Sequence, residues 1–345
     1  MISSSKLDNV VFVLGGAGFI GHHLARRLKQ QGKYVIVFDI KNKCEYAAAS
    51  NYCNEYVIEN LAENPSYLSE FLERYRPLEI YQLAADMGGA GYIFTGDNDF
   101  NIMCNSAAIN LNLLRLIEKH GLQKHTKVFY SSSACIYPKE NQEDPNNPNC
   151  KEDSAYPANP DSEYGWEKLF SERLYLAAKR NIGLNIKIAR LHNVYGPEGA
   201  WKGGKEKAPA ALCRKVVEAV KHEGSRGYRD YCEIEVWGDG EQTRSFLYIE
   251  DCLEGIQALM ASDKVGPYNI GSEEMVSIND LVDDLSVISD FDINIKHIDG
   301  PIGVRGRNSD NTIVRTEIGW EPKINLFSGL YKTYNWIKEQ HEKTK

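Results

Sequence analysis

Five consecutive apolar residues, Val10-Val11-Phe12-Val13-Leu14, run directly into Gly15-Gly16. A continuous apolar run of this length, closed by glycine, predicts a strand buried on both faces. Phe19–Gln31 then carries apolar positions at helical spacing and stops near Gly32, which predicts a helix. The strand pattern returns at Tyr34–Phe38, which ends at Asp39, and at Tyr56–Ile58, Leu78–Leu83, Lys127–Ser131 and Leu184–Ala189. The helical pattern returns at Pro65–Tyr75, at Asn101–Lys119 before Gly121, and at Tyr164–Arg180. Strands and helices that alternate in this way predict an α/β chain built on a doubly wound parallel sheet.

After Arg190 the pattern loosens, and glycine, proline and charge crowd Gly196–Lys207. Helix-like and strand-like pieces follow at Pro209–His222, Glu233–Trp237, Ser245–Ile249, Asp251–Ala261 and Ser277–Ser289. The expected division is a Rossmann-like sheet unit over 1–190, to which 238–270 returns. A smaller α/β substrate-binding cap is expected over 191–237 and 271–345. Asn141–Asn159 is polar and proline-rich, so it is expected as a surface loop. There is no internal repeat.

Composition narrows the function classes. The 345 residues are 42% hydrophobic and 26% charged, with a net charge of −8. That describes an ordinary globular chain and argues against general binding to nucleic acid or anionic membrane. The start, Met1–Asn9, lacks a signal-peptide layout, and no run reaches the length of a membrane span. Eight cysteines occur, none in a C-x-x-C pair. No metal is therefore expected, and a cytoplasmic chain with reduced thiols is.

Gly15-Gly16-Ala17-Gly18-Phe19-Ile20-Gly21 follows a strand and opens a helix. Small residues there let a backbone approach a pyrophosphate, which rests on the helix N-terminus. Asp39 ends the next strand. Its carboxylate can accept hydrogen bonds from ribose hydroxyls and would repel a 2′-phosphate, so NAD is favoured over NADP, although Lys41 and Lys43 lie nearby. Tyr164 and Lys168 share a helix face, 31 residues after Ser133. The ammonium is expected to lower the tyrosine pKa, so that the phenol can take a proton from a substrate hydroxyl held by Ser133.

On the glycine loop, the Ser133…Tyr164-x-x-x-Lys168 set and Asp39, the chain resembles the extended short-chain dehydrogenase/reductase family over nearly its whole length. Members act largely on nucleotide-sugars. Ala134-Cys135 stands where the dehydratases of that family carry Asp-Glu, which argues against dehydration. Three further stretches carry the resemblance: Ala84-Ala85-Asp86-Met87-Gly88-Gly89, Trp201–Ala211 and Gly303–Asp310. It implies an NAD-dependent isomerase that oxidises a sugar transiently at C4, epimerises C3 and C5, and reduces C4 again.

By that resemblance GDP-mannose or a related GDP-sugar is the substrate, and Cys135 and Lys207 form the acid/base pair. Inverting a carbon needs one group to remove a proton and another to return one, and a thiol and an amine can do both near neutral pKa. Lys207 would need a depressed pKa, from burial or from Lys202 and Lys205. The cofactor would meet Gly15, Gly18, Phe19, Ile20, Gly21, Asp39, Asn60, Leu83, Ala84, Tyr164 and Lys168. The sugar nucleotide would meet Gly88, Ser133, Ala134, Cys135, Asn193, Glu206, Lys207, Ala208, Lys215, Gln242, Thr243, Arg244 and Arg307. Of these, Lys215 and Arg307 suit the diphosphate.

Asn60 stands where the family has an aspartate near the adenine amino group, and an amide oxygen can replace it. Glu223–Cys232 forms a longer connection than the family's, and plant members continue beyond the stretch matching Trp336–Glu339. The family also implies a homodimer through the two long helices, Asn101–Lys119 and Tyr164–Arg180. Three alternatives stay open: an NADPH-consuming 4-keto-6-deoxymannose epimerase-reductase, a simple 4-epimerase or 4-dehydrogenase, and a non-catalytic NAD-binding sensor. A GDP-heptose also remains open as substrate.

Overall fold

The computed structural model describes residues 9–219, 231–301 and 303–344. The polar start and most of the Glu223–Cys232 connection lie outside these residues. Seven strands form one parallel sheet: β1 (Val10–Leu14), β2 (Tyr34–Asp39), β3 (Glu55–Ile58), β4 (Glu79–Gln82), β5 (Lys127–Ser133), β6 (Asn185–Leu191) and β7 (Tyr268–Ile270). Their order is β7-β6-β5-β4-β1-β2-β3. The chain thus builds one half through β2 and β3, then crosses back to place β4 on the other side of β1. That reversal opens a crevice at the carboxyl ends of β1 and β4, where ligands of such sheets bind.

All five residues of β1 are buried, because helices cover both faces. In register Leu14 lies beside Phe38 and Gln82. The loops that leave β1, β2 and β4 therefore emerge along one edge, bringing Gly15, Asp39 and Leu83 together. Helix α1 (Phe19–Gln30) buries Gly21, His22, Leu24, Ala25 and Leu28. The long helices α2 (Asp99–Lys119) and α3 (Glu163–Ile182) pack side by side. The Ser162 hydroxyl accepts the Gly165 N–H to start α3, and Gly183, at φ 72°, ends it.

The outer elements depart from the expected pieces at several places, among them the strand Asp292–Ile298 and the helix Thr312–Ile318, which lie outside those pieces. Ser245–Ile249 is expected as one piece but divides. Thr243–Ser245 pairs with Met275–Ser277 and Gly306–Arg307, Leu247–Tyr248 pairs with Val194–Tyr195, and Ile249 already starts a helix. Strand β7 is too short to show a period, and the helix Leu326–Lys343 lies outside the expected pieces although Leu326, Leu330, Thr333, Tyr334 and Ile337 are buried at helical spacing. The helix expected over Pro209–His222 is α4 (Ala208–Ala219), and residues 220–222 lie outside the described ones. One apolar cluster runs from Val11 and Leu24 through Leu247 and Ile256 to Leu285 and Ile337. The packing is therefore continuous across residue 190.

Candidate active site

The loop between β1 and α1 is tight at Gly15, Gly16 and Gly21 and open at Gly18. A Cβ on Gly21 would stand 2.2 Å from the Gly15 carbonyl oxygen, whereas one on Gly18 would meet nothing closer than that oxygen at 3.1 Å. Gly21 is thus required by the turn itself, while Gly18 leaves open the space before the first-turn N–H groups of α1, which lack acceptors within the helix. Those groups can hold a pyrophosphate. Asp39 is nearly buried, and its two oxygens accept the N–H groups of Ala17 and Lys41, both at 2.9 Å. Each oxygen keeps a lone pair for a ribose hydroxyl. This cradle fits an NAD. Leu83 N–H donates to the Leu14 carbonyl at 3.0 Å, and Ala84 N–H to Gln82 Oε1 at 3.2 Å. The Asn60 amide oxygen accepts the Ala62 N–H at 3.1 Å, so it braces its own turn.

Ser133 closes β5, and its hydroxyl accepts the Cys135 N–H at 3.2 Å. Tyr164 and Lys168 face this corner from α3, 6% and 2% exposed. Gly165 allows the approach, since a Cβ there would lie 2.2 Å from the Cys135 carbonyl oxygen. The Lys168 ammonium donates to the Ser131 carbonyl at 2.9 Å and sits 5.7 Å from the Tyr164 ring centre. The expected lowering of the tyrosine pKa is corrected here. Burial pushes the phenol well up, Cys135 adds to this, and only the Ser133 hydrogen bond opposes it. The ammonium is aimed at a carbonyl of β5 instead. Burial also presses Lys168 below the usual lysine value, against the pull of Glu167 and Cys135.

Cys135 lies just beyond, half-buried. Its sulfur accepts from Arg307 Nη1 at 3.2 Å. The same guanidinium donates to Asp161 at 3.0 Å through Nη2 and to Gln142 through Nε, and it is 5% exposed. Burial disfavours the Arg307 charge, but Cys135 and Asp161 outweigh this and raise its pKa. The fork expected to take a diphosphate is thus engaged by the thiol and its neighbours. Lys207 precedes α4 and is exposed to solvent, although protein mass lies around it. That surrounding mass lowers its pKa, Arg307 adds to this, and Cys135 and Cys252 oppose it. Its exposure to solvent screens part of this effect. Cys135, Lys207 and Arg307 therefore act on one another across one space.

The other expected residues are spread around that space. Gly88 packs on Tyr92, and a Cβ on Gly89 would meet the Glu206 carbonyl oxygen at 2.6 Å, so this loop abuts the one that carries Lys207. Glu206 pairs with Arg214 at 3.2 Å while its other oxygen is buried without a partner, as is Gln242 Oε1. Asn193, in left-handed backbone at φ 37°, donates to the Ser245 carbonyl at 2.9 Å. The Thr243 hydroxyl donates to the Pro145 carbonyl, Ala134 opens the short helical turn that holds Cys135, and Ala208 opens α4 directly after Lys207. Arg244 binds the carbonyls of Thr243 and Val304 at 2.7 and 2.6 Å. Burial and Arg307 press its pKa down to about 9, so it is still a cation at neutral pH. The Lys215 ammonium reaches the Glu235 carbonyl.

Asp161 and Gln142 carry no sequence signal for their hold on Arg307, which lies 146 and 165 residues away. They also border a cavity of about 360 Å³ with Phe94, Lys139 and Arg305. That cavity lies against the groups that hold Arg307, and Tyr164 does not line it. Among the described residues, no helix is long and apolar enough to cross a membrane.

A family model described as NAD dependent epimerase/dehydratase matches residues 11–271. The chain is 42% identical over 337 residues to GDP-mannose 3,5-epimerase of Arabidopsis thaliana, covering 97% of this chain and 84% of that one. It is equally similar, with 83% of the relative covered, to GDP-mannose 3,5-epimerase 1 of Oryza sativa subsp. indica. Among solved structures, UDP-glucose 4-epimerase of Thermotoga maritima superposes with a TM-score of 0.79 at 22% identity, over 96% of this chain and 99% of that one. The NAD complex of Thermus thermophilus UDP-glucose 4-epimerase gives 0.76 at 21%, over 95% and 99%.

Proposed function

The chain belongs to the NAD dependent epimerase/dehydratase family, and from that premise we propose that it inverts C3 and C5 of GDP-mannose, giving GDP-L-galactose and, from C5 alone, GDP-L-gulose. The observation that carries this reading is that Cys135 acts on both Tyr164 and Lys207, and so stands between the redox tyrosine and the amine. A simple 4-epimerase has no use for the thiol and amine there. The relatives in Arabidopsis and rice support the choice of sugar.

NAD, when bound, supplies the two-electron oxidation of C4 and its reversal, so no net redox occurs. Ser133 holds the C4 hydroxyl and Tyr164 exchanges its proton. Tyr164 takes that proton as the phenolate during oxidation and gives it back as the phenol; burial raises its pKa, which favours the return step. A ketone at C4 acidifies C3 and C5, because each carbanion is an enolate. Cys135 and Lys207 move protons at those carbons, and the lowered lysine pKa makes a neutral amine accessible. Arg244 and Lys215 supply positive charge for the diphosphate, and Arg307 adds its own beside the thiol. In this reading 1–190 and the returning 238–270 serve the cofactor, while 191–237 and 271–345 serve the sugar nucleotide.

The assembly proposed is a homodimer through α2 and α3. It is supported by Phe100, 79% exposed on α2, and by Trp166 and Phe170 on α3. A cytosolic setting is supported by the absence of any disulfide among the described cysteines.

The test is proton NMR of GDP-mannose in D₂O with the purified protein and added NAD. Loss of the C3 and C5 signals with L-configured products is expected. Cys135→Ala should stop this exchange while leaving some C4 oxidation. No exchange in the unaltered protein, or normal turnover in Cys135→Ala, would overturn the assignment.

A further inference from the structure

One stripe of α1 is covered by a strap of chain that is distant in sequence. Phe19, His22, His23 and Arg26 stand at helical spacing on one face. Pro197, Glu198 and Gly199 lie along them. Glu198 takes the His22 imidazole at 3.0 Å and Arg26 Nη2 at 2.5 Å on the same carboxylate oxygen. The Pro197 carbonyl meets His23 Nε2 at 3.1 Å. A Cβ on Gly199 would touch the Phe19 ring at 3.2 Å. His22 is in turn fixed from below, since its Nδ1 meets the Gly18 carbonyl at 2.8 Å. Glu198 itself holds a left-handed backbone, φ 60°, a conformation costly for a residue with a Cβ and kept where surroundings over-determine it.

The strap therefore runs up α1 and ends at Phe19, beside the helix N-terminus that forms the pyrophosphate cradle. His22, His23 and Glu198 also bring three metal-ligating atoms within 4.8 Å of one another. The cation for that carboxylate is already provided by Arg26, so an ion would have to displace a guanidinium. The arrangement is better suited to a clasp than to a metal centre.

We propose that Glu198, gripped by His22 and Arg26, is a positioning residue that fastens the strap over the cofactor cradle and slows the release of NAD. The inference rests on the NAD-recycling reaction proposed above, in which the same cofactor serves turnover after turnover. Opening the clasp exposes the first turn of α1, and with it the pyrophosphate. Glu198 touches neither substrate nor reacting atoms in this reading.

The experiment compares unaltered protein with Glu198→Ala and Arg26→Ala. It measures NAD retained after gel filtration and NAD dissociation by stopped-flow fluorescence. Both variants should release NAD about tenfold faster, as expected for losing a charge-assisted contact. They should also acquire a dependence of activity on added NAD, with kcat restored at saturation, which a merely structural defect would not produce. The clasp is overturned by dissociation rates equal to those of the unaltered protein, or by activity that excess NAD fails to restore. Unaltered protein that binds no NAD overturns the clasp together with the reaction it rests on. Retention in that protein with unchanged variant rates overturns the clasp alone.

Discussion

Arg307 holds the sulfur of Cys135 at 3.2 Å while its other nitrogens grip Asp161 and Gln142. A three-point grip fixes a planar guanidinium in place, and no single-point ammonium can reproduce it. Arg307→Lys should therefore reduce ring-proton exchange by about 10–100-fold through lost positioning of the charge. Deuterium incorporation at C3 and C5 measures this, with circular dichroism to check the fold. An exchange rate equal to that of the unaltered protein would make the contact incidental.

Two glycines of the cofactor loop should fail differently. A methyl at residue 21 collides with the Gly15 carbonyl at 2.2 Å, whereas at residue 18 it meets only that oxygen at 3.1 Å. Gly21→Ala should then lower the melting temperature clearly. Gly18→Ala should stay within about 0.5 kcal/mol of the original stability, yet weaken NAD binding by tenfold or so, because the methyl enters the pyrophosphate space. Thermal unfolding and calorimetric titration separate the two, and equal NAD affinity in Gly18→Ala would contradict the placement.

A buried ion pair ties α3 to the sheet. Arg190 meets Glu172 through Nε and Nη2, each at 2.9 Å, and both side chains are 2–3% exposed. Glu172 also accepts the Ser132 hydroxyl, next to the catalytic corner. Glu172→Ala strands a buried guanidinium and should cost about 3–5 kcal/mol. Urea unfolding measures it, and the double change Glu172→Met with Arg190→Met should recover part of the loss. A single-variant loss under about 1 kcal/mol would show that Tyr137 and the Glu152 carbonyl suffice to hold Arg190.

The clasp on α1 sets a pH signature. Burial opposes the His22 charge, but Cys44 and Glu198 raise its pKa to about 9. Burial likewise opposes the Glu198 charge, but His22 and Arg26 lower its pKa to about 2. His22 with a raised pKa stabilises the fold fully below about 6.5, and that contribution is lost as pH rises through 9. Glu198 with a depressed pKa stabilises above about 4.5, lost as pH falls through 2. The groups facing this pair are Cys44, His23 and Arg26. The gap in melting temperature between unaltered protein and Glu198→Gln should be widest at about pH 4.5–6.5 and narrow toward pH 9. A gap that stays constant from pH 5 to 9 would mean that Glu198 does not set the charge of His22.

The alternating apolar runs and helical stripes are enough to specify the parallel sheet. Burial of both sheet faces leaves a direct trace in composition, as in Val10–Leu14. The glycine loop and the Tyr164…Lys168 pair were legible because each fits within a tight turn or one turn of helix, and Asp39 and Ser133 because each stands at the end of a strand that the pattern already marked. Strand β7 was not legible, because three residues are too few to show a period and pairing with β6 alone defines it. Nor was the division of Ser245–Ile249, where two different partner strands claim neighbouring residues.

Tertiary structure alone decided where Lys168 aims, which groups hold Arg307, and that Glu198 meets His22. These contacts span up to 176 residues. Local propensity acts over one or two turns, and the energies that set such contacts, desolvation and the pairing of buried charge, depend on what the fold places alongside. The sequence by itself thus determined the scaffold and most of the chemical groups. The packing determined their charge states and the neighbours that make them act together.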